Sequence, residues 1–273
     1  SINGYPEDTT PFLVENANSY LNLGVVDSVA NCSRTTNLIL MSGTQLTDLP
    51  DTDFSSLKTP SIFQYAKAAG FETHYISNQS TGLKLQNYMT SKDLKHIDYF
   101  SQGEGKYVRP DGGLPEGDLI GRLRRAHGAE GRQFIWLVKK GAHFHWELSY
   151  PEIEAEFLPK LDEGEPLDRK HRDKALNSYQ NSIRWVVDEF LAQTLNFIDL
   201  SQTVIIYTAD HGQSILEGTS SATHCEWKNV QASQGRVPLI LFGEKQTLQT
   251  LFEKEIVKDS YSQYQLFGTT LQL

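Results

Sequence analysis

The sequence lacks a long hydrophobic run and a basic cluster, and each absence excludes a class of function. The longest apolar stretches, such as residues 204–207 and 237–242, fall far short of the roughly 20 residues that a membrane-spanning helix needs. Lys and Arg total 25 against 34 Asp and Glu, which gives a formal net charge of −9. Because nucleic-acid affinity comes largely from clustered basic side chains, no nucleic-acid partner is expected.

Cysteine is also scarce, and the two that are present, Cys32 and Cys225, do not fix the cellular compartment. They are compatible with one disulfide, with two free thiols, or with neither being functional. The first residue is Ser1 rather than Met, and residues 266–273 look like the middle of an element. We therefore expect a single domain, residues 1–273, that is a segment of a longer protein and is truncated at both ends.

The hydrophobic pattern predicts an α/β fold with a mainly parallel central sheet between helices. Short runs rich in β-branched and aromatic residues recur with helix-length spacers, as is typical of buried parallel strands; the runs are residues 71–76, 133–138, 203–208 and 237–242. Apolar residues at spacings of three and four predict an amphipathic helix over residues 172–197. A second helix is predicted over residues 61–69, because Gly70 can end it.

Polar residues follow two of the predicted strands directly. Asp210 and His211 come after the third strand, and His143 comes after the second. In α/β sheets, ligands gather beyond the carboxyl ends of strands. A carboxylate beside an imidazole suits zinc or manganese, although a capped turn is the simpler interpretation of this pair alone. His224, in a Gly- and Ser-rich loop, adds a third histidine, and the three together predict a shared polyanion or metal site.

Hydroxyl groups precede another apolar segment near the amino end. Residues 31–36 read Asn-Cys-Ser-Arg-Thr-Thr and are followed by the apolar residues 38–41, which predicts a loop that leads into a helix N-terminus. Such a terminus attracts phosphate and stabilises developing negative charge. Ser33 or Thr36 could serve as an ordinary helix cap. Either hydroxyl could instead act as a nucleophile if a metal lowers its pKa.

Taken in order, these residues resemble a known family, the soluble catalytic domain of phosphoethanolamine transferases, within the alkaline phosphatase and sulfatase superfamily. The resemblance covers nearly the whole chain, and the ordered set is specific although each segment alone is weak. The matching segments are residues 4–13 (Gly-Tyr-Pro-Glu-Asp-Thr-Thr-Pro-Phe-Leu), Cys32 with Thr36, residues 77–80, 141–143, 149–151, 179–182 with Asp188, 210–214 (Asp-His-Gly-Gln-Ser), His224, and Val237 with Pro238.

The resemblance implies a nucleophile and a metal. Thr36 takes the place of the family's metal-bound threonine, because it lies four residues after Cys32. Zinc, or another divalent metal such as manganese, would be held by Thr36, Asp210, His211 and a carboxylate that the family carries on a strand upstream of residue 1. The nucleophile would attack a phosphodiester and leave a phosphothreonine ester.

The resemblance also implies substrates and a location. His143 and His224 would act as catalytic acids and, together with Asn78, would bind the substrate. Phosphoethanolamine would pass from a phospholipid donor to an envelope glycan or a lipid A-type acceptor. The expected place is the periplasmic face of an inner membrane, through an anchor outside this chain.

Several residues depart from the family pattern, and other functions stay open. Ser42 stands near the place of the family's second cysteine, Val138 replaces a common histidine, and Gln213 replaces a glutamate. A phosphodiesterase, a phosphoglycerol transferase and a sulfatase-like hydrolase are alternatives within the superfamily. The Cys-x-Pro-x-Arg motif of formylglycine sulfatases is missing from residues 32–36. A binding domain that kept the fold without catalysis is the alternative of another class.

Overall fold

The computed structural model describes residues 1–49, 59–79, 85–103, 116–220, 223–252 and 261–273. The strands are β1 (Tyr20–Asp27), β2 (Glu72–Ser77), β3 (Tyr99–Gln102), β4 (Gln133–Val138), β5 (Ile205–Thr208) and β6 (Arg236–Phe242). The helices are α1 (Pro11–Glu15), α2 (Ser33–Ser42), α3 (Ile62–Ala68), α4 (Ser91–Leu94), α5 (Gly117–His127), α6 (Arg172–Ile183), α7 (Phe190–Leu195), α8 (Lys245–Leu251) and α9 (Leu266–Thr270). Within these ranges, every helix is too short or too polar to cross a membrane.

The described strands form two three-stranded sheets that differ in strand direction. One sheet has the order β3-β2-β4 and is parallel throughout. The other has the order β1-β6-β5 and is antiparallel throughout. The four apolar runs predicted as strands all contain strands, but the parallel pairing predicted for residues 203–208 and 237–242 is wrong, because β5 and β6 pair antiparallel. No α-helical crossover lies between β5 and β6 in the described part of residues 209–235, so the chain turns back beside β5.

One hydrophobic cluster joins the two sheets. Ile76 of β2 and Phe242 of β6 both belong to it, and Leu137 of β4 and Tyr207 of β5 pack against it. The β6 residues from Leu239 to Phe242 are at most 1% exposed. Burial on both faces explains why these strands read as continuous apolar runs without alternation.

The long helix predicted over residues 172–197 is confirmed, with one irregularity. Helices α6 and α7 are continuous through a π-helical segment, Arg184–Glu189. Its wider turn places Asp188 against the start of α1, where the carboxylate accepts hydrogen bonds from the backbone N–H of Phe12 (2.8 Å) and Leu13 (3.0 Å). The segment therefore ties the longest helix to a part of the chain about 175 residues away.

Two further predictions about helices are confirmed, the end of one at Gly70 and the start of another after residues 31–36. Helix α3 is followed by Gly70, whose φ of +83° is the left-handed conformation that a side chain disfavours. Helix α2 begins directly after Cys32 and ends at Gly43, which has a φ of 68°. The start of α2 places the hydroxyl-rich segment at a helix N-terminus, as predicted.

Candidate active site

The three predicted loop histidines lie together. His211 follows the carboxyl end of β5, and its ring stacks on that of His224 with 4.4 Å between centroids and 18° between planes. His143, which follows β4, meets His224 edge to face at 5.1 Å. Strand ends of both sheets thus supply imidazoles to one cluster.

Asp210 sits beside this cluster with an unsatisfied oxygen. Its Oδ1 accepts a hydrogen bond from the backbone N–H of His211 at 3.0 Å and lies 3.8 Å from Nε2 of the same residue. Its Oδ2 is buried and has no hydrogen-bond partner among the described residues, and the same holds for Oε1 of Gln213. Buried carboxylate oxygens are rarely left unpaired, so a cation at this position would satisfy Asp210.

Gly212 shapes the turn that carries Asp210 and His211. Its backbone N–H donates to the carbonyl of Gln234 at 2.9 Å. A Cβ added at Gly212 would lie 1.9 Å from the carbonyl oxygen of Ser233 and 2.8 Å from that of Arg236. Both obstacles are backbone atoms, so only glycine permits this close approach.

The two candidate hydroxyls on α2 have different surroundings. Oγ of Ser33, the first residue of the helix, lies 3.1 Å from Nε2 of His211. Thr36 is 0% exposed, and its hydroxyl donates to the carbonyl of Ala30 at 3.2 Å. The role of Thr36 stays a prediction, whereas Ser33, which the sequence suggested only as a cap or an alternative hydroxyl, contacts the histidine cluster.

A disulfide between Cys32 and Cys225 connects the hydroxyl segment to the loop of His224. The two residues are 193 positions apart in the sequence. The backbone N–H of Cys225 also donates to the carbonyl of Asn31 at 2.8 Å. The structure thus decides between the alternatives that the sequence left open for the two cysteines.

Asn78 holds the loop that leads to His143. Its Oδ1 accepts from the backbone N–H of Lys140 at 2.5 Å, and its amide nitrogen donates to the carboxylate of Glu116. Glu116 in turn accepts from the backbone N–H of Gly141 at 3.1 Å. The predicted substrate contact of Asn78 stays a prediction. Sequence reasoning missed Glu116, for which the sequence offers no local signal.

Burial favours the uncharged form of two imidazoles of the cluster, those of His143 and His224. The pKa of His224 is lowered to about 4, chiefly by burial and then by the neighbouring histidines His211 and His143. Burial likewise lowers the pKa of His143. The pKa of Lys140 falls to about 8 for the same reason, partly offset by Glu116. Neutral imidazoles can accept a proton or bind a metal.

The donor set fits a divalent cation in part. Asp210 offers an unpaired buried oxygen, and His211 offers a nitrogen between that carboxylate and the Ser33 hydroxyl. Within the described ranges, however, no group of three His, Cys, Asp or Glu side chains could hold a metal ion. Carboxylate, imidazole and hydroxyl groups are suitable zinc ligands, and catalytic zinc sites generally use three protein ligands.

The amino-acid sequence of this chain is similar to those of known proteins. The sulfatase family profile matches residues 1–273. A Kdo(2)-lipid A phosphoethanolamine 7''-transferase of Escherichia coli K12 is 28% identical over 224 residues, which cover 79% of this chain. The match covers only 37% of that transferase's length.

Solved structures share the fold. The C-terminal periplasmic domain of phosphoethanolamine transferase EptC from Campylobacter jejuni superposes with a TM-score of 0.78 at 18% identity, covering 99% of this chain and 82% of that one. The corresponding domain of EptC from Escherichia coli, in complex with Zn, gives a TM-score of 0.75 at 16% identity, covering 97% and 75%. The α/β fold class predicted from the sequence is thereby confirmed.

Proposed function

Because this chain belongs to the sulfatase family and its named relatives are phosphoethanolamine transferases, we propose that it catalyses metal-dependent transfer of phosphoethanolamine. The donor is a phospholipid, and the acceptor is an envelope glycan or a lipid A-type molecule. The reaction passes through a phosphoester on the protein. One observation carries the proposal: a hydroxyl at a helix N-terminus lies beside an Asp-His pair and two further histidines.

Zinc is the metal we propose, with manganese as the other candidate. Asp210 and His211 would hold it, together with a hydroxyl at the start of α2. The support is the unpaired buried Oδ2 of Asp210 and the zinc complex of the related Escherichia coli domain. When bound, such a metal lowers the pKa of a coordinated hydroxyl and neutralises charge on a phosphoryl oxygen.

Other residues of this chain would stabilise charge, position the loop before His143 and transfer protons. The N-terminus of α2 stabilises negative charge on the phosphoryl group, since the first N–H groups of a helix have no partner within it. Asn78 and Glu116 hold the loop before His143. Because burial keeps both imidazoles uncharged, His143 or His224 would first take up the proton of the attacking hydroxyl and would then pass it to the departing lipid alcohol. A hydroxyl of the acceptor then attacks the protein phosphoester and regenerates the free side chain.

The proposed cellular location is inferred from the solved structures of similar domains. The solved structures include C-terminal periplasmic domains, and the expected setting here is the periplasmic face of an inner membrane. Contact with the membrane would be made through segments outside this chain. That arrangement would bring the site to both a phospholipid donor and a lipid acceptor.

The test uses phosphatidylcholine vesicles that contain phosphatidylethanolamine labelled in its ethanolamine group. The purified protein is incubated with them and zinc, and intact-mass spectrometry then looks for a phosphoethanolamine adduct. We expect the adduct in the wild type and its loss in Asp210→Asn, a variant that keeps the size of the side chain but removes its charge. Addition of an acceptor should discharge the adduct.

Two outcomes would contradict the proposal. Release of free phosphoethanolamine to water, with the same rate whether or not an acceptor is present, would favour the phosphodiesterase alternative. A wild type that binds the vesicles but neither forms an adduct nor releases a product would favour the non-catalytic binding domain.

A further inference from the structure

The loop that follows His224 presents large apolar side chains to solvent at its tip, residues 227–230 (Trp-Lys-Asn-Val). Trp227 is 98% exposed, and Val230 is also exposed. The other three tryptophans of the chain are buried or partly buried. An indole ring left wholly in water gains free energy from any apolar surroundings that it can reach. The 227–230 tip is therefore a candidate contact surface.

Fixed contacts at the base of the loop keep the tip in solvent. Asn31 Nδ2 donates to the backbone carbonyl of Glu226 at 3.0 Å. The carboxylate of Glu226 accepts from Ser220 Oγ at 2.6 Å and from Gln234 Nε2 at 2.8 Å. The preceding residue forms the disulfide that ties this loop to the start of α2. The acidic side chain is thus held against the fold, whereas the next residue, Trp227, is left outside it.

The tip is locally positive although the chain as a whole is acidic. Lys228 is exposed, whereas Glu226, the other charged residue of positions 226–231, is partly buried. An exposed indole beside an exposed lysine suits the surface of a phospholipid bilayer, because the ring lies at the level of the headgroups and the ammonium group is attracted to lipid phosphates. A stable protein partner would need a patch of roughly 800 Å², whereas one indole ring offers about 150–250 Å². The size and charge of the tip therefore favour a bilayer over a protein partner.

The tip also lies close to the histidine cluster. Trp227 follows His224 by three residues, so their α-carbons are at most about 11 Å apart. The ring of His224 is itself stacked on that of His211. The headgroup layer of one leaflet is roughly 5–8 Å thick, and the phosphodiester of a phospholipid lies within it. A tip at this depth would keep the cluster near that phosphodiester without withdrawal of the lipid from the bilayer.

We propose that the 227–230 tip contacts the surface of a phospholipid bilayer, with the ring of Trp227 among the headgroups and Lys228 beside lipid phosphate. This contact acts in addition to the anchor proposed outside this chain. The contact itself requires no catalysis, whereas its benefit for access to the donor lipid rests on the transferase function proposed above.

Vesicles without phosphatidylethanolamine test the contact separately from the transferase function. The purified protein is titrated with vesicles of phosphatidylcholine and phosphatidylglycerol, and the bound fraction is measured by co-sedimentation. Trp227→Ala should weaken binding about tenfold or more, because the affinity grows with the apolar area that enters the interface. The matched control is Ile153→Ala, which removes an apolar side chain that is 87% exposed in another loop. It should change the affinity by less than about twofold.

Two further measurements locate the contact. Lys228→Gln should weaken binding about fivefold when phosphatidylglycerol is present and much less on pure phosphatidylcholine, because the attraction is to anionic lipid. In solution, iodide should quench the fluorescence of Trp227, and vesicles should protect it. Phosphatidylcholine with bromine in its acyl chains should quench the wild type but not Trp227→Ala.

Several results would overturn the proposal. These are a wild type that does not bind the vesicles, a Trp227→Ala variant that binds as tightly as the wild type, and an Ile153→Ala variant that loses as much affinity as Trp227→Ala. Failure of iodide to reach Trp227 before vesicles are added would show that a second copy or another part of the protein covers the tip, which also overturns it. The adduct assay decides the transferase function independently of these results.

Discussion

The disulfide between Cys32 and Cys225 should contribute a large share of the stability of this chain. The bond closes a loop with a sequence separation of 193 residues. In the chain-entropy model, the stabilisation grows with the logarithm of loop length and reaches about 5 kcal/mol for a loop of this size. Removal of native disulfides typically costs about 2–5 kcal/mol, whereas the whole free energy of unfolding of a domain is commonly about 5–15 kcal/mol.

Urea unfolding followed by circular dichroism measures this contribution. Cys32→Ala, Cys225→Ala and the double variant should each lose about the same free energy of unfolding, since breaking either end removes the same bond. Reductant should lower the stability of the wild type to a similar extent and leave the double variant unchanged. Additive losses in the two single variants, or a wild type that is insensitive to reductant and carries two titratable thiols, would refute the reasoning.

Two further predictions concern the turn after β5 and the carboxylate under α1. Gly212→Ala should lower the free energy of unfolding by about 3 kcal/mol, because its Cβ would meet the carbonyl of Ser233. Gly268→Ala, where nothing lies within 4 Å, should be neutral or should stabilise by up to about 1 kcal/mol, because Gly268 lies in helix α9. Equal melting temperatures for both variants would contradict this. Burial raises the pKa of Asp188 from 3.8 to about 6, so the native state binds more protons than the unfolded chain between these values and loses stability as pH rises through them. The stability of the wild type relative to Asp188→Asn should therefore fall by up to about 3 kcal/mol between pH 4 and pH 7, and a rise over that range in denaturant titrations would show the shift to have the opposite sign.

The sequence revealed buried strands more readily than their directions. Residues 237–242 are apolar because β6 is covered on both faces, and that pattern is independent of strand direction. Direction depends on the connection before β6, which contains no long periodic segment. Strand β3 is four residues long and β1 contains Gly24, so neither shows a clear alternation. The π-helical turn in the long helix could not be predicted, because it leaves the spacing of the apolar residues in the sequence unchanged.

The sequence predicted those residues of the site that directly follow a strand. Asp210, His211 and His143 all follow predicted strands, so their convergence followed from the topology of the class. The pairing of Cys32 with Cys225 depends on how distant loops pack, which spacing does not encode. Which hydroxyl of the first turn of α2 contacts His211 depends on how α2 packs against the loop after β5, and spacing in the sequence does not encode that packing.

The pairing of β1 with β6 has a consequence for how the protein is made. Tyr20 pairs with Phe242, which leaves the ribosome about 220 residues later, or roughly ten to forty seconds later at ordinary rates of synthesis. Strands β2 and β4 are much closer in sequence and can pair early. Strand β1, with its apolar side chains and unpaired backbone groups, remains an open edge until β6 has been synthesised. Chaperones that shield nascent chains should therefore engage residues 20–27 for longer than any part of the β3-β2-β4 sheet.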